Sequence, residues 1–179
     1  MKRWEVIADL VNAHGWKAGA ELGVLKGETF IYLLGHCPDL SMIGVDTFRF
    51  MEGQVYTDDG STYRAHDFDD YQVRVRRDME PFGDRAKLLV MTTAEAAEVA
   101  VDDHSLDFVF IDADHTTTGV SRDIFMWSCK LKPDGWICGH DTHMPTVKET
   151  IDAMLPGWAK HDDHVWTIPV KETGFACHH

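Results

Sequence analysis

Two features that would direct a chain to a membrane or out of the cell are missing from this 179-residue sequence. No run of about 18 apolar residues occurs, so a membrane-spanning helix is not expected. The start carries Lys2 and Arg3, but Glu5 and Asp9 interrupt the apolar stretch that a secretory signal needs. We therefore expect a cytoplasmic protein, and the length favours one domain that spans residues 1–179.

Closely spaced cysteines and an excess of basic residues are missing too. The sequence has four scattered cysteines, Cys37, Cys129, Cys138 and Cys177. This spacing favours neither a zinc ribbon nor a disulfide scaffold, so we expect reduced thiols. Lys and Arg number 17 against 30 Asp and Glu, a formal net charge of -13. Because this charge opposes phosphate backbones, nucleic acid is not expected as a partner.

The most informative stretch is residues 106–141, which predicts two buried strands joined by a helix. Residues 108–111 form the short apolar run that is typical of a strand covered on both faces. Apolar residues then recur with helical spacing at Val120, Ile124, Trp127 and Leu131. Pro133 and Gly135 are predicted to stop this helix before the next strand. The unit is therefore a strand, a crossover helix and a parallel strand.

Acids and imidazoles follow both of these strands. The group consists of Asp112, Asp114, His115, His140, Asp141 and His143. In open parallel sheets, ligands bind outside the carboxyl ends of the strands. We therefore expect the functional site at this edge of the sheet.

A glycine turn and a second strand-end acid precede this unit. Residues 18–22 are predicted to form a strand, and Gly23 and Gly27 to form a turn that leads into a helix. Residues 41–45 are predicted to form a second buried strand, which ends at Asp46. Asp46 follows Gly27 by about 20 residues, the distance at which nucleotide-binding folds place a carboxylate for the ribose. This pairing indicates a nucleoside-containing ligand.

The remaining segments complete an alternation of strands and helices. Residues 47–68 lack periodicity and are predicted to be a mobile lid over the site. Further predictions are a helix from Trp4 to His14, a polar helix near residues 71–75, a strand at 86–90, a helix at 92–100 capped by Thr93, a helix at 147–155, and a hairpin of residues 165–170 and 173–177. This alternation is typical of a doubly wound α/β sheet.

Four motifs in this order resemble the class I methyltransferases that use S-adenosylmethionine. They are Glu21-x-Gly23-x-x-x-Gly27, Gly44-Val45-Asp46, residues 107–115 and residues 131–141. The chain is most similar to the small branch with an Ile-Asp-Ala-Asp-His signature. The resemblance implies a Rossmann-like, doubly wound, mostly parallel seven-stranded sheet with an antiparallel C-terminal hairpin strand. It also implies methyltransferase activity, and we expect the methyl acceptor to be a hydroxyl group of a small molecule.

The resemblance further implies roles for individual residues in binding the cofactor. Glu21, Gly23 and Gly27 would surround its methionine part, and Asp112 could bind its amine. Asp46, with Thr47 beside it, would bind the ribose, and Thr93 would lie by the adenine. The sequence departs from the family pattern at Leu25, which stands at the middle glycine position of the turn.

Two catalytic routes are open, because a hydroxyl acceptor must lose its proton. In the first route Asp112 and Asp141, with His143 as a further candidate, hold a divalent metal such as Mg, Mn or Ca that orients the acceptor. Metal-dependent O-methyltransferases resemble the chain at the two aspartates, but carry an amide at Thr142 and lysine at His115. In the second route His115 or His140 is a metal-free general base.

Two other classes of function stay open. A methyltransferase-like scaffold could bind a ligand without turnover, since a fold does not imply an activity. A metal hydrolase could use His140, Asp141 and His143 with Asp112 and His115, and it would not bind S-adenosylmethionine. The acceptor substrate and the oligomeric state are also open, and a homodimer is compatible with the sequence.

Overall fold

The computed structural model describes residues 1–49, 57–58, 61–62 and 65–175. Its strands are β1 Ala18–Leu22, β2 Ser41–Val45, β3 Thr57–Asp58, β4 Ser61–Thr62, β5 Ala86–Leu89, β6 Leu106–Ile111, β7 Leu131–Gly139, β8 Ala159–Lys160 and β9 Trp166–Pro169. Within these residues, seven strands form one sheet in the order β5-β2-β1-β6-β7-β9-β8, and β3 pairs with β4 separately. The first five strands of the sheet are parallel, and β9 is antiparallel to both of its neighbours. The predicted fold class is confirmed.

Helices cover both faces of the sheet. They are α1 Arg3–His14, α2 Glu28–His36, α3 Ala65–Met79, α4 Thr93–Val99, α5 Thr117–Ser128 and α6 Pro145–Met154. Strand β6 shows why two layers form, because its side chains alternate between two cores. Phe108 and Phe110 pack with residues of α1 and α2, whereas Val109 and Ile111 pack with residues of α4, α5 and α6. The buried apolar run in the sequence is therefore a strand covered on both faces.

The crossover helix is shorter than predicted. Helix α5 ends at Ser128, and Leu131 is the first residue of β7 rather than the last on the helix face. Backbone N–H groups of Ser105 and Leu106 donate to the Lys130 carbonyl at 2.9 and 3.0 Å, so pairing with β6 begins there. Pro133 and Gly135 consequently lie inside β7, where the register against β6 shifts.

The hairpin uses a different partner strand from the one expected. Strand β9 pairs with β8, Ala159–Lys160, and not with the described part of the predicted strand, residues 173–175. Thr173 instead forms a turn, because its backbone N–H and its hydroxyl both donate to the Val170 carbonyl, at 3.0 and 2.7 Å. Residues 176–177 of the predicted strand lie outside the described residues.

The predicted N-cap of α4 also shifts, from Thr93 to Thr92. The Thr92 hydroxyl accepts a hydrogen bond from the Glu95 N–H at 3.2 Å, and the Glu95 carboxylate accepts one from the Thr92 N–H at 2.9 Å. This reciprocal pair is a capping box. Thr93 is thus the first helical residue.

Three other expectations have mixed outcomes. The lid prediction for residues 47–68 lies largely outside the described residues, and helix α3 already begins at Ala65. Cys37 and Cys138 are buried free thiols, but Cys129 is disulfide-bonded, which corrects the expectation at that position. In the part of the chain that the structure describes, no helix is long and apolar enough to cross a membrane.

Candidate active site

The site is built on the ends of two neighbouring parallel strands. Asp112 follows β6, and His140 and Asp141 follow β7. Ile111 lies opposite Gly139 in the register of this strand pair, so the residues that follow them come together at one edge of the sheet. The backbone of Asp141 is left-handed, with φ 66°, and its carbonyl accepts a hydrogen bond from the Met144 N–H at 2.8 Å. The strand ends abruptly at this turn.

The Asp141 carboxylate lies between two imidazoles. Its Oδ2 is 2.8 Å from His115 Nε2, and its Oδ1 is 3.0 Å from His140 Nδ1. Asp112 Oδ1 lies farther away, 3.7 Å from His140 Nδ1 and 3.9 Å from His115 Nε2. One ligand atom each from Asp112, His115 and Asp141 lies within 4.8 Å of the other two, close enough to hold one metal ion.

The two acids also determine where protons reside in this cluster. Burial lowers the pKa of His115, but the nearby carboxylates of Asp112 and Asp141 outweigh that effect and raise the pKa to about 10. The pKa of His140 is raised in the same way, and the pKa of Asp141 is lowered because its contacts with both imidazoles outweigh its burial. Two carboxylates at close range thus favour a positively charged group beside them.

Three neighbouring residues have other roles or weaker contacts. His143 Nδ1 is 3.6 Å from Asp141 Oδ1, on a half-exposed side chain whose ring lies 4.4 Å from that of His164. Asp114 turns away to accept a hydrogen bond from the Thr116 N–H at the start of α5. Thr142 is buried, and its hydroxyl donates to the His164 carbonyl at 3.3 Å, so this hydroxyl is bonded within the protein.

The glycine turn between β1 and α2 passes very close to Asp112. Gly23 has φ 86°, and a Cβ atom there would lie 2.1 Å from the Asp112 carbonyl oxygen. Leu25, at the family's middle glycine position, also adopts a left-handed backbone, with φ 46°. This conformation is uncommon for a residue with a side chain, and the surrounding hydrogen bonds must hold it in place.

Asp46 provides those hydrogen bonds. Its Oδ2 accepts from the N–H groups of Val24 and Leu25 at 2.9 and 2.8 Å, and its Oδ1 accepts from Phe48 N–H at 2.7 Å. A carboxylate has about four acceptor positions, so these three bonds leave room for one more donor. Asp46 therefore shapes the turn and can still accept a hydrogen bond from a ligand hydroxyl.

Glu21, near the end of β1, is a buried acid. Only 2% of the residue is exposed, and Oε2 has no hydrogen-bond partner in the described part of the chain. Burial raises the pKa of Glu21 well above its usual value, and the neighbouring Asp112 raises it further. A buried carboxylate oxygen without a partner is costly, and a cationic ligand group would relieve that cost.

Two other residues that were predicted to contact the cofactor form hydrogen bonds within the protein. The Thr93 hydroxyl donates to Asp123 Oδ1 at 2.6 Å, in a buried contact with α5. The Thr47 hydroxyl accepts from the Arg49 N–H at 3.4 Å at the surface. Their contacts with adenine and ribose remain predictions.

Arg3, which no sequence motif singles out, reaches the site from the start of α1. Its Nε lies 3.2 Å from the Thr29 hydroxyl and 3.6 Å from Asp112 Oδ2. A terminal nitrogen lies 3.5 Å from Glu28 Oε2. Position 3 is more than 100 residues from Asp112 in sequence, so local sequence patterns carry no signal for this contact.

Solved structures of 14–17% identity share this fold. A candidate caffeoyl-CoA O-methyltransferase from Staphylococcus aureus matches with a TM-score of 0.64 and 14% identity, over 92% of this chain and 80% of that one. Cofactor-bound Rv0187 from MTB matches with a TM-score of 0.67 and 16% identity, over 96% and 80%. A candidate O-methyltransferase from Klebsiella pneumoniae matches with a TM-score of 0.63 and 17% identity, over 92% and 77%. The class of the fold is therefore the Rossmann-like fold of methyltransferases.

A family comparison is more specific. A model described as a methyltransferase domain matches residues 20–142, which is more than half of the chain. The chain belongs to this methyltransferase-domain family. The matched residues include the glycine turn, Asp46, Asp112 and Asp141. No curated protein sequence matches the chain.

Proposed function

We propose that this protein transfers a methyl group from S-adenosylmethionine to a hydroxyl group of a small molecule. The observation that carries the proposal is the group of residues at the ends of β1, β2 and β6, within a chain of the methyltransferase-domain family. There the Gly23 backbone comes close to Asp112, and the buried Glu21 has an oxygen without a partner among the described residues. The neighbours named as O-methyltransferases support hydroxyl transfer in particular.

The residues present fit the cofactor. Glu21 offers a buried carboxyl group to the ammonium group of its methionine part, and Asp46 retains acceptor capacity for a ribose hydroxyl. Gly23 lets the turn lie against the Asp112 backbone, because a Cβ atom at this position would clash with the Asp112 carbonyl. Binding in this pocket would present the methyl group at the edge of the sheet where Asp112 and Asp141 lie.

The residues present also fit a divalent cation. Asp112, His115 and Asp141 offer two carboxylate oxygens and one imidazole nitrogen within 4.8 Å of one another. A mixed oxygen and nitrogen set suits Mn²⁺ or Fe²⁺ as well as Mg²⁺. When bound, such an ion orients a hydroxyl acceptor and lowers its pKa.

The protein's own residues would then position the acceptor and take up its proton. Asp112 and Asp141 offer ligand atoms within 4.8 Å of each other, so together they would hold an acceptor hydroxyl at this edge of the sheet. His140 contacts Asp141 through Nδ1, while its buried Nε2 has no partner within the described residues. Because Asp141 and Asp112 raise the pKa of His140, this ring would take up the acceptor proton only from its neutral form, at a pH above that raised pKa.

A labelled-methyl assay tests this function. The protein is incubated with S-adenosylmethionine that carries an isotopically labelled methyl group and with a panel of small hydroxylated compounds, with Mg²⁺ or Mn²⁺ and with a chelator. We expect label in at least one compound, equimolar S-adenosylhomocysteine, and loss of both products on chelation. Metal binding without any affinity for the cofactor would instead support a hydrolase, and cofactor binding without transfer a scaffold. Full activity in the chelator would support the imidazole route.

A further inference from the structure

The Arg3 guanidinium reaches the cofactor pocket among several acids. It contacts Asp112 and Glu28 at 3.6 and 3.5 Å, and it lies close enough to Glu21 to lower the pKa of that acid against the effect of burial. The contacts with Asp112 and Glu28 are longer than the 2.7–2.9 Å that is typical of charge-assisted hydrogen bonds. Arg3 thus brings a positive charge to a part of the fold that carries several acids.

Several contacts keep Arg3 in this place. Its backbone N–H donates to Asp163 Oδ2 at 2.6 Å, and its Nε donates to the Thr29 hydroxyl at 3.2 Å. Helix α1 also packs against α2 through the core that includes Val6, Ile7 and Phe30. The guanidinium is therefore held by the fold at the mouth of the glycine turn, with 24% of its side chain exposed.

The amino-acid end of S-adenosylmethionine carries an ammonium and a carboxylate on one carbon atom. The buried Oε2 of Glu21 suits the ammonium group. The carboxylate would meet repulsion from Glu21, Asp112 and Glu28 unless a cation lay beside it. The start of α2 adds positive partial charge, because Gly27 caps that helix without a side-chain hydrogen bond. Arg3 and Glu21 together match both charges of the group.

We propose that Arg3 binds the α-carboxylate of the methionine part of the cofactor, with Glu21 on the ammonium group. This inference rests on the proposed function and assigns a specificity-determining residue outside the matched region 20–142. The planar guanidinium can bind a carboxylate through two parallel hydrogen bonds. Arg3 would thereby select ligands that keep an intact amino-acid end.

Calorimetry with two ligands separates this role from a structural one. The ligands are S-adenosylhomocysteine and its decarboxylated form, which keeps the ammonium group but lacks the carboxylate. For Arg3→Met we expect about tenfold to hundredfold weaker binding of S-adenosylhomocysteine, the loss of a charge-assisted hydrogen-bonded pair. The decarboxylated ligand should bind equally well or more tightly, because it is cationic and the substitution removes a positive charge. For Arg3→Lys we expect an intermediate loss, confined to the first ligand.

Lys2→Met is the matched control, since it removes the same charge from the neighbouring exposed position. It should change neither affinity more than about twofold, an effect typical of a surface charge. Equal losses of both ligands in Arg3→Met and Arg3→Lys would show that Arg3 only positions Asp112, and this result overturns the inference. Unchanged affinity for S-adenosylhomocysteine in both variants overturns it as well. If the wild type binds neither ligand, the proposed function itself fails, and this inference fails with it.

Discussion

Strand β6 has a carboxylate at each end, and the protein holds the two in different ways. Asp107, near the start, has one oxygen on the N–H groups of Lys17 and Ala18, at 2.7 and 2.8 Å, and the other on Lys132 Nζ at 2.6 Å. Asp112, just past the end, has the long contacts with Arg3, His115 and His140. Asp107 forms three short hydrogen bonds within the protein. The contacts of Asp112 with these three side chains are 3.6–3.9 Å long.

The difference in pairing distinguishes an acid that stabilises the fold from acids that are available to bind a ligand. Bonds to Lys132, Lys17 and Ala18 outweigh burial and lower the pKa of Asp107, so the charged form contributes to folding. At the other end, Glu21 keeps a raised pKa and a buried oxygen without a partner among the described residues, which is costly in the absence of a ligand. Changes at the amino end of the sheet should therefore affect stability, and changes at the carboxyl end should affect binding and rate.

The largest effect is expected for Asp141→Asn. Removing this carboxylate should slow methyl transfer by about 10²–10⁴-fold, the range that is typical of losing a group that assists proton transfer. S-adenosylhomocysteine affinity should stay within about threefold of the wild type, because Asp141 belongs to the acceptor side. The assay uses an acceptor from the panel, and Mn²⁺ calorimetry gives a second readout without one. Asp114→Asn is the control, since Asp114 lies at the same edge but bonds Thr116. A rate within tenfold of the wild type would contradict this assignment.

A smaller effect is expected for Asp46→Ala. Loss of its hydrogen bonds to ribose should weaken S-adenosylhomocysteine binding by on the order of 1.5–3 kcal/mol, or tenfold to a hundredfold. The melting temperature should also fall, because the same carboxylate holds the N–H groups of Val24 and Leu25. Calorimetry and thermal unfolding measure the two effects, with the exposed Asp39→Ala as control. An unchanged affinity would remove Asp46 from the cofactor pocket.

The smallest effect on function is expected for Asp107→Asn. The amide oxygen of asparagine cannot accept all the hydrogen bonds that Lys17, Ala18 and Lys132 donate to Asp107. The variant should therefore lose about 1–3 kcal/mol of unfolding free energy at pH 7. Its affinity for the cofactor should not change. Because the folded pKa lies below the unfolded value of about 3.9, the contribution of Asp107 is present above that pH and disappears as pH falls further. Chemical unfolding of both proteins at pH 7 and below pH 3 tests this, with the exposed Asp134→Asn as control. A stability difference that persists in acid would show that packing is responsible.

Most of the carboxyl edge of the sheet could be predicted from the sequence. Strands covered on both faces leave continuous apolar runs, so the acids that follow residues 45, 111 and 140 could be assigned to strand ends from the sequence pattern alone. Parallel order then implied that they lie together, and the structure brings Asp112, His115 and Asp141 within 4.8 Å.

Features that depend on distant contacts could not be predicted in this way. Arg3 reaches Asp112 only because α1 packs on α2, a contact that no local pattern encodes. Leu131 has helical spacing but joins β7, since pairing with β6 competes with one more helical turn. The choice between Thr92 and Thr93 as N-cap depends on which hydroxyl faces Glu95, and Thr93 instead faces Asp123. In each case tertiary contacts outweigh a local preference.

The most direct test of the account is the binding of S-adenosylhomocysteine to the wild-type protein. Calorimetry should show one saturable site per chain, and ligand at a hundred times its dissociation constant should stabilise the protein by about 2.7 kcal/mol. Glu21→Gln should weaken that binding, because an amide cannot become the anion that would pair with the ammonium group. If millimolar ligand neither releases heat nor raises the melting temperature of the wild type, the assignment of the glycine turn, Glu21 and Asp46 to a cofactor pocket is wrong.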